Sequence, residues 1–477
     1  MSRTPDRQIS FADLAFSDMG VHLDPVLQGI DTFLAQHSDL VEQVRLDLER
    51  GLKKPDTGRK GITPSQTLRS LTLMRVKNWD YRELRERIND GYTLRGFAQF
   101  DSQFVPKHDA FNRAFNRLTP ATLEAINQAV VQAAVQLGLE DGKKLRVDTT
   151  VVETNIHYPT DSSLLADGVR VLSRLVGRAK TLLGETAPTG RDLVRDRTRS
   201  ARRRMQQIQR MTAQQRQQQQ QPKYRELLRI TGQVVQNARQ VVEQTKGISG
   251  VDVVAGLVID QLRQQITSFC DLADRVIDQT RRRVLQGEQV PSEQKVYSIF
   301  EPHTDLIKRG KVLKPVEFGH KVFLAESAQG LVTDYRVLTG NPVDSDHVKA
   351  SLERHQQIFQ HPPECYAGDR GFHSADNVQR CHQAEVGEVC IPQRGGKKTA
   401  EQEGLERSPA FKKAQRFRVG IEGRISVLFR GRGMKRCRAK GRERFEMLVG
   451  AAVLANNLMR IAQLIEDRKP NRRRAAA

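Results

Sequence analysis

The chain has no run approaching the roughly 20 apolar residues that a bilayer span requires. Its most apolar stretch, MLVGAAVLANNLM, is short and interrupted by Asn456 and Asn457. The N-terminal MSRTPDRQIS lacks the apolar core of a secretion signal. Cysteine is scarce: there are five, an odd number with no CxxC pair, which argues against a disulfide framework and for a reducing compartment. A cytoplasmic globular protein is expected, with no membrane partner. The lone tryptophan, Trp79, lies between charged helical stretches, and a core anchor is its plainer role.

What is abundant is positive charge. The formal net charge is +22 over 477 residues, spread through the chain rather than gathered in one tail. Such a protein suits a polyanionic partner, and nucleic acid is the commonest. Ribosomal and membrane-surface proteins share the property, so charge alone does not choose. The length exceeds one ordinary core and implies two or three domains.

Residues 1–140 read as a helical N-terminal domain. TPSQTLRSLTLMRVKNWDYRELRERIND opens with a capping pattern at Thr63 and keeps Leu68, Leu71 and Leu73 near helical spacing. KKLRVDTTVV, rich in β-branched residues, predicts a strand ending near Asp148. Strand signals then vanish over 160–300. The Gln/Arg-rich MQQIQRMTAQQRQQQQQ predicts helix, with disordered low-complexity sequence as the alternative. Strands return over 301–468. EFGHKVFLAES, with Phe318, His320, Val322 and Leu324 on one parity, pairs with GLVTDYRVLTG as a hairpin. A helix, the strand ECYAGD, a second helix and the strand EVCIP follow. A loop, QRGGKKTAEQEG, leads to two closing helices, the second with Phe445, Leu448, Ala452, Ala455, Leu458, Ala462 and Ile465 on one face. The order predicts an α/β fold: a mixed sheet flanked by helices, with 141–159 its first part, 160–300 a helical insertion and 469–477 a basic tail.

Phosphodiester cleavage benefits from divalent ions held by acids on rigid elements. Asp148 ends the first strand, ahead of two threonines that turn the chain. Asp369 ends CYAGD, with Arg370-Gly371 as a sharp exit. A strand-end Asp is by itself more often a turn former. Glu422 flanks a helical stripe of Ala414, Phe417, Ile421, Ile425 and Leu428. Its neighbours Gly420 and Gly423 each cost the helix about 1 kcal/mol relative to Ala, which makes sense if another backbone approaches closely. Basic residues crowd this helix, and Arg416, Arg418, Arg424, Arg430, Arg432, Lys435 and Arg436 are candidate phosphate contacts.

VDTTVVETNIHYPTDSSLL, YAGDRGFHS and RFRVGIEGRISVLFRGRGMKRCRAKG resemble motifs of bacterial insertion-sequence DDE transposases with a Y-R-E-K-type signature, in the ISNCY-like group. The resemblance runs from Thr63 to Ile465, with the motifs in the family's order. It implies an RNase H-like catalytic domain and an N-terminal helical domain that helps recognise terminal inverted repeats. It also implies Mg²⁺ or Mn²⁺, double-stranded DNA as element end and target, and at least two protomers on DNA. The catalytic and metal-binding acids it implies are Asp148, Asp369 and Glu422. The signature's Arg falls on Arg418, whereas its Tyr and Lys positions are Gln415 and Phe429. The alternatives are a catalytically inactive, repurposed DNA-binding protein and a nuclease without strand transfer.

Glu153, Asp161 and Asp167 are alternatives to Asp148, with Asp161 reading rather as the cap of a helix starting near Leu164. Asp334 and Asp344 are alternatives to Asp369, with Asp344 reading as a cap. His361, Cys365, His373, Cys381, His382 and Cys390 match no common zinc spacing. Tyr81, Tyr92 and Phe97, with Arg82, Arg85 and Arg87, serve either a helical core or DNA contact.

Overall fold

The computed structural model describes residues 21–54, 57, 61–183, 195–246, 253–308 and 315–468. The N-terminal MSRTPDRQIS and the basic tail expected at 469–477 lie outside them. The chain divides into two compact units, one of residues up to Glu153 and from Lys321 onward, the other from Thr154 to His320.

The first unit begins with α1 (Pro25–Gln36), α2 (Ser38–Glu49), α3 (Pro64–Lys77), α4 (Tyr81–Asp90), α5 (Tyr92–Phe97), α6 (His108–Phe115) and α7 (Pro120–Gln136). Three of these start with proline in the first turn behind a capping Asp24, Thr63 or Thr119. At Thr63 the cap is reciprocal, with Gln66 returning the hydrogen bond. The left-handed Asn78 (φ 56°) ends α3. Leu68, Leu73, Leu84, Ile88, Phe97, Phe111 and Ile126 form the buried centre, and Trp79 packs partly buried against it. Strand β1 (Lys144–Thr154) follows. It does not end near Asp148: Thr149 and Thr150 do not turn the chain, because Val151 and Val152 remain apolar and buried and the strand runs on.

The second unit contains α8 (Asp161–Leu183), α9 (Thr198–Gln209), α10 (Ala213–Thr245) and α11 (Val253–Thr280). Their buried faces, among them Leu165, Leu172, Leu227, Val234, Ile266 and Ala273, make a core of its own. The polyglutamine stretch is helical and opens α10 behind a reciprocal cap between Thr212 and Gln215. Asp161 does not cap α8. The Thr160 hydroxyl accepts the Ser163 N–H at 3.2 Å, while Asp161 takes hydrogen bonds from Gln279 and Arg283. β2 (Asp305–Lys308) pairs antiparallel with the opening residues of β3 (Val316–Ser327).

From Lys321 the chain completes the first unit with β4 (Val332–Val337), α12 (Val348–Phe359), β5 (Cys365–Ala367), α13 (Ala375–Gln383), β6 (Glu388–Cys390), α14 (Ala400–Arg407), α15 (Pro409–Gly431), β7 (Arg436–Cys437) and α16 (Arg442–Arg468). Part of the expected loop QRGGKKTAEQEG is helical, since Thr399 caps α14. The sheet order is β4-β3-β1-β5-β6, with β7 on β1. β3 and β4 are antiparallel, whereas β1, β5 and β6 are parallel, so the sheet is mixed.

Helix α16 explains why the N-terminal helices and the sheet share one unit. Phe445, Val449, Ala452 and Val453 join the core with Val322 and Ile421, while Leu454, Leu458 and Ile461 join the core of the N-terminal helices. It is the one described helix long and apolar enough to cross a membrane, and most of that stretch is buried inside the fold. Its buried Asn457 accepts the Val332 N–H and donates to the Val332 carbonyl, both at 2.9 Å.

Candidate active site

Parallel pairing sets the site. The register matches Arg146 of β1 with Ala367 of β5. Carried two residues further along both chains, it brings Asp148 alongside Asp369. Asp148 is largely buried and accepts the Thr149 N–H at 2.7 Å. Burial raises its carboxyl pKa to about 6, and the charge of Asp369 adds to the rise, against the opposing pull of Arg418. Asp369 caps a single helical turn and accepts the Gly371 N–H at 2.7 Å.

Asp344 lies near enough to add its charge to Asp148. It does not cap the helix that follows, whose cap position is His347; its Oδ1 instead accepts the Thr149 hydroxyl at 2.8 Å and faces Lys321 Nζ at 2.7 Å. A Cβ at position 371 would lie 2.7 Å from Asp344 Oδ2 and 2.9 Å from Asp369 Oδ1. Gly371 therefore sits between two carboxylates that a side chain would push apart.

Glu422 rides on α15 with its side chain 63% exposed. Arg418, one turn earlier, meets Glu422 Oε1 at 3.3 Å and Asp148 Oδ2 at 3.9 Å. One guanidinium thus links the helix acid to the strand acid.

What fixes α15 against the sheet is a buried charge triad. Glu326 of β3, fully buried, takes Arg146 Nε on one oxygen and Arg424 Nε on the other, both at 2.7 Å. Arg146 also donates to the Phe417 carbonyl at 2.7 Å and lies over the Phe417 ring, and Arg424 donates to Asn456 at 2.8 Å. Arg146 is what approaches Gly420: a Cβ there would strike its guanidinium, whereas Gly423 faces open space. The close neighbour at Gly420 is a side chain, not a backbone.

The other candidates separate by surroundings. Arg424 is engaged with Glu326, and Arg432 is half-buried and donates to the Val76 carbonyl at 2.6 Å. Arg436 pairs with Glu153. Arg416, Arg430 and Lys435 are exposed. Gln415 is exposed, while Phe429 packs against the core around Val322 and Phe445. Asp334 is buried beside Arg336 at 3.2 Å, and Asp167 pairs with Arg170 at 2.7 Å. Cys365, Cys381 and Cys390 are buried thiols, which burial pushes up to about 11, 12 and 12.

The acids here offer hard oxygen donors, which suit a divalent cation of the magnesium type. A carboxyl whose pKa is held up first by burial and then by a neighbouring carboxylate is one that such a cation would relieve. Among the described residues no three His, Cys, Asp or Glu side chains stand together as a ready metal site; Glu422 rests on Arg418 instead.

Sequence reasoning missed Arg146, Glu326, Lys321 and Thr149. The available signal was a charge inside an apolar strand run, Arg in KLRVD and Glu in VFLAES, since a charge so placed needs a buried partner.

Residues 22–117 match a family model described as Transposase domain (DUF772). The match supports a transposase. It spans α1 to α6 and stops before α7 and the first strand acid. No curated protein and no solved structure matches the chain.

Proposed function

We propose that this chain is a DDE-type DNA transposase that binds the terminal inverted repeats of its element, cleaves a strand and joins the freed end to target DNA. The carrying observation is the parallel register that sets Asp148 beside Asp369, with Arg418 reaching from Asp148 to Glu422. An RNase H-like reading is supported by a central strand with an antiparallel hairpin on one side and two parallel strands on the other. The family match adds the transposase context.

Asp148, Asp369 and Glu422 would hold Mg²⁺ or Mn²⁺, with two ions the expectation. When bound, such ions acidify an attacking water or hydroxyl and stabilise the leaving oxygen. The chain's own part is placement. The Arg146–Glu326–Arg424 triad fixes the height of α15 over β1, and Arg418 balances charge between two of the acids. Arg416, Arg430 and Lys435 are the exposed cations left to meet phosphate.

Purified protein with Mg²⁺ or Mn²⁺ is expected to nick and join duplexes carrying the element's own ends. Asp148→Ala is expected to lower cleavage by about 10²–10³-fold, on the scale of losing a principal electrostatic group, while retaining DNA binding. Equal cleavage by the variant sinks the proposal. The placement of Glu422 on Arg418 favours one second reading, a DNA-binding protein without catalysis. Sequence-specific binding with no metal-dependent nicking by the wild type selects it, and nicking without joining selects a nuclease.

A further inference from the structure

The helical unit between β1 and β3 carries a surface the active site does not use. Over residues 197–229 there are ten Lys or Arg and a single acidic residue, Glu226. Glu226 is already paired with Arg204 and Lys223. On α9, Ala201 and Ile208 are buried, and Arg199, Arg202 and Arg203, with Arg210 at its C-cap, are exposed. Those four follow i, i+3, i+4 and i+11 spacing, so they share the face opposite the buried residues. Arg216 continues the exposed charge into the first turns of α10, among exposed Gln214, Gln217 and Gln218. None of these five arginines has an ion-pair partner among the described residues.

Like charges at helical spacing repel and destabilise the helix that bears them. An unbalanced row of this density is relieved by an anion that matches its length. Arg199 to Arg210 spans about 16 Å of helix, over which a duplex presents about ten phosphate charges. Guanidinium groups grip phosphate in a fork, and amide side chains add hydrogen bonds to phosphate and sugar without reading sequence. The face lacks the apolar side chains that an amphipathic helix buries in lipid.

We infer that the exposed face of α9, with the start of α10, is a second DNA-binding surface that grips the backbone of double-stranded DNA independently of sequence. The choice of DNA rests on the transposase reading above; the anion-binding face stands on its own residues.

The test uses the full chain and a random-sequence 30-base-pair duplex, by fluorescence anisotropy between 50 and 200 mM NaCl without divalent ions. The variant replaces Arg199, Arg202, Arg203 and Arg210 with Gln. A control replaces Lys143, Lys349, Arg380 and Arg407, which lie in surface ion pairs, also with Gln, so net charge falls equally. Four lost phosphate contacts should flatten the slope of log affinity against log salt by about 2 to 4. Affinity at 100 mM should fall at least tenfold, with the control within threefold of wild type. The corresponding Lys set should keep the wild-type slope, which separates lost charge from lost folding. An unchanged slope, an equal loss in the control, or tighter binding of duplex RNA or anionic vesicles than of DNA overturns the inference. Because no cleavage is read, an inactive wild type that still shows the difference removes the catalytic proposal alone.

Discussion

A methyl group at position 371 would lie within 3 Å of oxygens on both Asp344 and Asp369, so Gly371→Ala must move one acid or the other. A displacement near 1 Å at a reacting centre costs about 10²-fold in rate. Metal-dependent nicking is expected to fall by that order while thermal unfolding changes little. His355 carries a different prediction. Its ring is buried between Phe359 and His361, and burial, with the neighbouring His361, lowers its pKa from 6.5 to about 4. The folded state therefore refuses a proton that the unfolded chain accepts. Stability from this group is intact above about pH 6.5, is lost progressively down to about pH 4, and the loss approaches about 3 kcal/mol. Chemical denaturation at pH 7 and pH 4.5 should show it, and His355→Phe should flatten that part of the pH profile.

Helix α15 shows how one element divides its faces. Its apolar stripe enters the core, Arg424 and Gly420 meet the charge triad, and Glu422 and Gly423 remain outside. Gly420→Ala forces out an arginine that holds both Glu326 and the Phe417 carbonyl, and should destabilise by about 1.5–3 kcal/mol, the range for hydrogen bonds to charged groups. Gly423→Ala meets nothing and should stabilise by up to about 1 kcal/mol through helix propensity. Urea titration of the two variants side by side checks the opposite signs. This helix also marks the limit of legibility. The stripe of Ala414, Ile421 and Leu428 is written in periodic spacing, and the place of Asp369 in a strand-then-turn pattern. The triad is not, because Arg146, Glu326 and Arg424 have no mutual spacing and are joined only by the register of three separate elements. Strand β1 runs past its expected end at Asp148 for a related reason. Threonines suit both turns and strands, and only the pairing partners decide.

At the scale of the whole chain, the two units have cores that share no buried residue: Leu164 to Ile299 in one, the remainder in the other. Each buries its own apolar surface, so each should lose structure cooperatively by itself. Calorimetry is expected to give a total enthalpy well above the van't Hoff value of a single transition. Asp161→Ala, which frees Gln279 and Arg283 within the helical unit, should lower only one component. The N-terminal helices were legible from caps and periodicity, but not their partner. Helix α16 lies more than 300 residues away in sequence, and its apolar run exceeds what one face requires. That excess was the available sign that it is covered on two sides.

The amide of Asn457 meets the N–H and the carbonyl of Val332 as a peptide group of a neighbouring strand would. At that point β4 has a surrogate for the next strand, supplied by a helix. An open edge would offer the same two groups to a passing chain, which is how sheets recruit strangers into aggregates. A protein this rich in arginine must stay dispersed at the high local concentrations a polyanion imposes, and one buried amide closes the first rung of that ladder from within.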